Sequence, residues 1–342
     1  MKRLFIFFVI PITVMGISFF GFYTYWNNAD PEKSCSSCHE ITPSVSSLQH
    51  SAHREIRCFD CHGNALSNGF HSLKEKANMV LTHITDERWN EDISLNESQV
   101  LEVTERCTIC HQSEYTKWKS GRHSTSYSDI FLNTLHNSME RVYWDCFRCH
   151  GMFFEGNIYD LISPVSKEGP WELIDKEKAD QPAIPCLACH QAHTENELYP
   201  SLKNVQGSLP LKGRNPVFGL YIRSDRIFLR GDHLPEPNMY LENEQILYSD
   251  DPSQSLCIQC HAPGAFHQVG TNDDRTPVGV HEGLSCNVCH EPHSNNADNS
   301  CITCHPAISN CGLDVETMNT SYSNPGSQHN IHFVSCDDCH EK

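Results

Sequence analysis

Cys-x-x-Cys-His recurs nine times along the 342 residues, and this repeat constrains the chain more than any other feature of it. The repeats begin at Cys35, Cys58, Cys107, Cys146, Cys186, Cys257, Cys286, Cys301 and Cys336. Their second cysteines are Cys38, Cys61, Cys110, Cys149, Cys189, Cys260, Cys289, Cys304 and Cys339. His39, His62, His111, His150, His190, His261, His290, His305 and His340 close them. Eighteen of the 19 cysteines are used in this way. The remaining one, Cys311 in Ser-Asn-Cys-Gly, reads as a buried packing residue.

The spacing has a chemical reason. Two thiols can add to the two vinyl groups of a haem, and cysteines three apart lie on one side of a single helical turn. The adjacent imidazole then reaches the iron as its proximal ligand. The repeat therefore predicts nine covalently attached c-type haems. Zinc sites also use Cys-x-x-Cys pairs, but need no histidine after every second cysteine. A redox dithiol uses one such motif, not nine.

Thirteen histidines lie outside the repeats, more than the nine needed to give every iron a second axial ligand. His53 and His281 each precede a motif by five residues, and His332 precedes Cys336 by four. His193 and His293 each follow a proximal histidine by three. These recurrences mark five distal candidates. His123, in Gly-Arg-His-Ser, is similar to distal ligands of other multihaem cytochromes, and His83, His136 and His267 complete the candidate set. His50, His71, His233 and His329 read as structural or surface residues. Spacing does not pair any of them with a particular iron. Met152, two residues after His150, offers a thioether ligand that would raise a haem's potential; the alternative is a packed core methionine.

The charge balance excludes one class of partner. The chain carries 25 Lys+Arg against 43 Asp+Glu, a net charge of −18, so it lacks the basic surplus of a nucleic-acid binder. Redox partners with basic docking patches are expected. The alternative is that the charge only keeps the protein in solution.

The N-terminus is of another kind. After Met1-Lys2-Arg3, residues Leu4 to Trp26 run without a charge. That stretch spans about 34 Å as a helix, enough for a bilayer core. Pro11 and Gly16 are tolerated in such a helix, and Phe19, Phe20, Phe22, Tyr23, Tyr25 and Trp26 form an interfacial aromatic belt. The basic start places the N-terminus in the cytoplasm. The expectation is a single-pass bacterial inner-membrane protein with its bulk in the periplasm. The alternative is a cleaved secretory signal, against which stand the long apolar run and the lack of a small-residue cleavage site.

The motifs divide the chain. Residues 1–26 form the stub and anchor, 27–95 hold two motifs, 96–200 three, and 257–342 four. Residues 201–256 are a motif-free linker with a predicted β-hairpin at 217–230, built on alternating β-branched and aromatic residues. Its plain role is to pack over a haem edge; a docking surface is the alternative. Helices are predicted at 70–83, 97–106 and 126–143. About 35 residues per haem are too few for a conventional core around each. The fold class is thus a multihaem cytochrome c of short helices and coil wrapped around haems, with one transmembrane helix.

The first part resembles the membrane-anchored quinol dehydrogenases of the NapC/NrfH family. The matching features are the N-terminal helix, Cys35-Ser-Ser-Cys38-His39-Glu40, His53 before the second motif, Cys58-Phe-Asp-Cys61-His62-Gly63, and Leu73-Lys74-Glu75-Lys76. The resemblance covers residues 1–90. It implies a first haem near the membrane and oxidation of quinol, with Lys74 and Lys76 either facing the quinol or lying on a solvated helix face. No motif has lysine in place of its histidine, unlike the pentahaem ammonia-forming nitrite reductases. The expected function is electron transfer in anaerobic respiration. Electrons would pass from membrane quinol, or a quinol-oxidising partner, to a periplasmic or outer-membrane acceptor such as another cytochrome or a terminal reductase. The alternative is a reductase of a small nitrogen or sulfur oxyanion, with one five-coordinate haem. No catalytic residue is singled out.

Overall fold

The structure is a computed structural model. It describes residues 2–28, 41–49, 51–63, 95–192, 218–235, 240–241, 243–247, 249–261, 276–297, 300–305 and 331–334. The predicted helix at 70–83, with Lys74 and Lys76, lies outside these residues, as do the first and ninth motifs, His83, His193, His267 and Cys311.

Two compact units are present, one of residues 1–95 with 192–212, the other of 96–191 with 213–342. In the first, α1 (Lys2–Asn28) is one continuous helix through Pro11. Thr13 and Thr24 return their hydroxyls to the carbonyls four residues back, at 2.8 Å, so neither side chain leaves an unmet donor on an apolar surface. The stretch Phe8–Tyr25 is long and apolar enough to cross a membrane, and none of it is buried within the protein. Two short helices follow, α2 (Thr42–Gln49) and α3 (Cys58–His62). Asp60 and Arg57 hold the start of α3, the guanidinium donating to the carboxylate at 3.0 Å.

The second unit begins with α4 (Glu97–Cys107), which covers the predicted helix at 97–106. Its start is a reciprocal cap. Asn96 Oδ1 accepts from Gln99 N–H at 2.9 Å, and Gln99 Oε1 accepts from Asn96 N–H at 2.8 Å. Val100, Val103 and Thr104 form its buried face. α5 (Gln112–Ser120) follows the third motif and buries Trp118. The helix predicted over 126–143 is instead two, α6 (Tyr127–Phe131) and α7 (Thr134–Met139). Asn133 makes the break, because its side chain accepts from the His136 N–H at 3.0 Å and so caps a new helix.

Next come α8 (Ile158–Leu161) and two ribbons, β1 (Ile162–Ser163) with β2 (Glu172–Leu173), and β3 (Gly219–Ile222) with β4 (Ile227–Arg230). The second ribbon is the hairpin expected at 217–230. Gly219 is required there, since a Cβ would lie 2.0 Å from the Leu229 carbonyl. Arg226 takes the turn with φ +53°. β5 (Tyr240–Leu241) pairs with β6 (Glu244–Gln245), and α9 (Pro252–His261) carries the sixth motif at its end. β7 (Val278–Gly279) lies parallel to β8 (Phe333–Val334), with α10 (Ser300–Cys304) between them in sequence.

Among the described residues of this unit the larger of two apolar clusters is a conventional core. Tyr127, Phe131, Phe147, Phe154, Leu161 and Ile162 pack together, with ring centres of Phe147 and Phe154 5.2 Å apart. Beneath Tyr127, its hydroxyl donates to Glu97 Oε1 at 2.5 Å, and the Lys178 ammonium pairs with Glu97 Oε2. Burial pushes the Tyr127 hydroxyl far above its ordinary range, followed by the nearby Glu97 charge and the hydrogen bond to it. Arg223 of the hairpin turn stacks on Phe147 at 4.7 Å and donates to the carbonyls of Phe154 and Gly156, which docks the hairpin on this core. Met152 is 2 % exposed in a second cluster with Ala188, Leu220 and Leu234, the setting of a packing methionine.

A candidate haem-binding array

Each described motif is wound into one tight turn. The N–H of the closing histidine donates to the carbonyl of the first cysteine in five of them, at 2.9 Å for His111, His150 and His190, 2.8 Å for His290 and 2.7 Å for His305. In three of these the first cysteine sits on a short 3-10 turn, at 144–148, 186–188 and 286–288, and the second cysteine follows the turn at once. Others lie in α3, α9 and α10. In every case the backbone ring fixes two thiols and one imidazole on a single loop of chain.

None of the fourteen described cysteines forms a disulfide. Thiols of different motifs nevertheless approach one another. Cys257 and Cys286 are within hydrogen-bonding reach, and so are Cys260 and Cys149. In the first pair the bond to Cys257 draws Cys286 down to about 7, while Cys257 moves up. Burial pushes Cys189 up to about 12. Burial is a cause of the upward shifts at Cys257, Cys260 and Cys189.

Large apolar side chains stand exposed in or beside the motifs. Ile109, between Cys107 and Cys110, is 77 % exposed, and Trp144, two residues before Cys146, is 70 % exposed. Val288 lies between Cys286 and Cys289 and is also exposed. A flat apolar group bound at these turns would cover them.

The histidines give the clearest geometry. Among the described residues, four motif imidazoles each face an imidazole from outside the motifs. His261 faces His123 with ring centres 6.2 Å apart, and His190 faces His293 at 6.0 Å. His305 faces His281 at 6.4 Å, and His290 faces His332 at 6.2 Å. Metal–imidazole bonds of about 2.0–2.1 Å, with about 1.1 Å from each donor nitrogen to its ring centre, place two trans imidazoles on one ion about 6.2–6.4 Å apart. Three of the gaps match that span and the fourth, His190–His293 at 6.0 Å, is slightly short of it, so each pair would be able to hold one metal ion between its rings. Among the described residues no group of three or more His, Cys, Asp or Glu side chains is arranged to hold a bare metal ion.

The outer edges of these rings are held by the chain. His281 Nδ1 lies 3.1 Å from the Ile331 carbonyl, and His290 Nδ1 lies 3.4 Å from the Asn295 carbonyl. His293 Nδ1 lies 3.4 Å from Glu291 Oε1. Occupying Nδ1 in this way leaves Nε2 for a metal. The parallel pairing of β7 and β8 brings the segments of His281 and His332 side by side. His123 is placed by contact between two distant turns. Asn295 Oδ1 accepts from the Arg122 N–H at 3.0 Å, and its amide nitrogen lies 3.1 Å from His123 Nδ1. Gly121 permits this approach, because a Cβ would stand 2.7 Å from the Ser294 carbonyl and 2.8 Å from that of His293. Burial, and then the charge of His261, lower His123 to about 4, so its ring is neutral at pH 7 as a metal ligand must be.

His53 lies in unit 1, on the turn before α3, and His62 closes the motif there. His111 and His150 close the third and fourth motifs outside the four pairs. His136 sits on α7 with its ring at Asn137, 3.4 Å, and Glu140, 4.0 Å. Glu291 and Asn295 escaped the sequence reading. Glu291 follows a motif histidine at once and precedes His293 by two, which is the pattern of a side chain that caps its own turn. Its carboxylate accepts from the N–H groups of His293, 3.1 Å, and Ser294, 2.6 Å. Burial opposes its charge, but these bonds with Lys117 and His293 hold it at about 2.

A family model described as outer membrane cytochrome MtrC/MtrF-like, domains II/IV, matches residues 30–200, half of the chain. The chain belongs to this family of multihaem cytochromes. A second model, described as cytochrome c554 and c-prime, matches residues 235–291 of this multihaem cytochrome. Cytochrome c-type protein NrfH of Wolinella succinogenes is 25 % identical over 151 residues, which cover 43 % of this chain and 80 % of that protein. No solved structure matches. The cytochrome binds haem c covalently and transfers electrons, and its N-terminal apolar helix fits membrane anchoring.

Proposed function

We propose that this cytochrome carries nine haems and relays electrons from membrane quinol, or a quinol-oxidising partner, to an acceptor beyond the inner membrane. The observation that carries the reading is the set of four facing imidazole pairs at 6.0–6.4 Å. Two nitrogen ligands on an iron leave no position for substrate, so such haems move electrons and do not bind oxyanions. In this reading His261 and His123 share one iron, as do His190 and His293, His305 and His281, and His290 and His332. The remaining irons take their second ligand from His53, His83, His136, His193 and His267.

The quinol end of the relay rests on the likeness to NrfH and on α1. The basic residues Lys2 and Arg3 put the start of α1 in the cytoplasm and the motifs in the periplasm. The acceptor is a redox protein, another cytochrome or a terminal reductase, drawn by the net charge of −18 when it offers a basic face.

The test uses detergent-solubilised full-length protein. Pyridine haemochrome quantification and intact mass should give nine haems per chain, with low-spin spectra throughout. A quinol analogue should reduce them when a soluble acceptor is present. Far fewer haems would end the nonahaem reading. A high-spin resting haem that turns over nitrite, hydroxylamine or tetrathionate would transfer the protein to the oxyanion reductases.

A further inference from the structure

The four facing pairs are alike in spacing but not in what touches their outer nitrogens. His281 and His290 meet backbone carbonyls, of Ile331 and Asn295. His293 alone among these three meets a carboxylate, with Nδ1 3.4 Å from Glu291 Oε1. The contact is built rather than incidental. Glu291 Oε2 is fixed by the N–H groups of His293 at 3.1 Å and Ser294 at 2.6 Å, so the carboxylate cannot swing away without opening its own turn. The same Oε1 that faces His293 also accepts from Lys117 Nζ at 3.3 Å, across 174 residues of sequence. The Glu291 and His293 side chains are each about one third exposed, so solvent only partly screens them.

The charge matters to an iron. A ferric haem centre carries one more positive charge than a ferrous one. A carboxylate at the far nitrogen of an axial imidazole pulls on its N–H proton, makes the ring a stronger donor and favours the ferric state. A backbone carbonyl does the same more weakly, because it carries no net charge. Lysine on the same oxygen works in the opposite direction.

We propose that Glu291 sets the reduction potential of the haem held between His190 and His293, lowering it below those of the neighbouring irons, and that Lys117 offsets part of this effect. The proposal rests on the ligand pairing given above. It makes that haem the strongest one-electron donor of the three, passing its electron on to a neighbouring haem without making or breaking a bond. Glu291 is a positioning and tuning residue, not a ligand.

The experiment is a spectroelectrochemical titration of the holoprotein, with electron paramagnetic resonance used to tell the haems apart. His293→Met first identifies the haem, by converting one bis-histidine signal to histidine–methionine. If no signal changes, the ligand pairing fails and this proposal falls with it. Glu291→Gln keeps an acceptor at the same place without the charge, and should raise the midpoint potential of that haem alone. Lys117→Met should lower the same potential, and it keeps the proposal testable where Glu291→Gln does not mature. In the double variant the Lys117 effect should vanish. If His293→Met identifies the haem but neither Glu291→Gln nor Lys117→Met moves its potential, the ligand pairing stands and the tuning role is wrong. A shift spread evenly over all haems would overturn it equally, since that reports a general surface charge.

Discussion

The imidazole planes of His290 and His332 lie 3° from parallel, with ring centres 6.2 Å apart. His281 and His305, at 6.4 Å, are turned 82° to each other. Parallel axial rings split the iron orbitals that donate into them, whereas perpendicular rings leave those orbitals nearly equal in energy. The oxidised protein should therefore show two kinds of low-spin resonance, a well-spread rhombic one and a strongly anisotropic one. His332→Met should remove a signal of the first kind and His281→Met one of the second. Electron paramagnetic resonance of the two variants checks the assignment, and the reverse result would refute it.

Gly121→Ala tests how His123 is held. The added methyl group collides with two backbone carbonyls at 2.7 and 2.8 Å, so the Gly121–His123 turn must lift from the 293–295 turn. One haem should pass from low spin to high spin, visible in the optical spectrum. Gly219→Ala, whose Cβ would meet the Leu229 carbonyl at 2.0 Å, should split the hairpin and lower stability, and because the Gly219 N–H donates to the Cys189 carbonyl at 2.9 Å it should disturb the fifth motif as well.

Lys178→Met removes the cation from a largely buried carboxylate. Glu97 and Lys178 side chains are 9 % and 17 % exposed, so Glu97 would be left with Tyr127 alone. The loss should be about 3–5 kcal/mol in denaturant unfolding of the holoprotein, the usual result of stranding a buried charge. Tyr127→Phe should cost less, about 1–3 kcal/mol, because it deletes one hydrogen bond and leaves the ion pair.

Acid should weaken the 249–287 region through Asp251. Burial works against its charge, but Ser285, Ser253 and Asn287 donate to the carboxylate and hold its pKa below the ordinary value. A lowered folded-state pKa stabilises above the unfolded value of about 3.9 and loses that contribution as pH falls toward the folded one. The melting-temperature gap between the wild type and Asp251→Asn should be full at about pH 6 and shrink below about pH 4. A constant gap would mean that the carboxylate charge has no part in it.

Replacement of residues 1–28 by a cleavable export signal should release the protein from membranes without changing its haem content or spectra. Fractionation with haem-stain gels reads both outcomes. A truncated form that still sediments with membranes would show that another surface binds lipid.

The parts of this molecule that were legible in the sequence are those encoded locally. The motif turns, the helix over 97–106 and the 219–230 hairpin each depend on residues within a few positions of one another. The 126–143 segment shows how local reading can fail. Its apolar spacing favours one helix, yet a single side-chain bond from Asn133 to the next turn divides it. The histidine partners were illegible for a different reason. His293 stands three residues after His290 but faces His190, and His281 precedes Cys286 yet faces His305. Nearness to a motif marks a histidine as a candidate, but the turns that bring it to another motif arise only from tertiary contact. The Asn295–His123 contact, across 172 residues, is of this kind.

That crossing of partners also imposes an order in time. His123 and His190 leave the synthesis machinery long before His261 and His293. If His190 and His293 share an iron as proposed, a haem attached at His190 before His293 is made would lack its second axial ligand until then. In the proposed pairing, the second side of a haem held at His190 would be closed only by His293, 103 positions further along the chain.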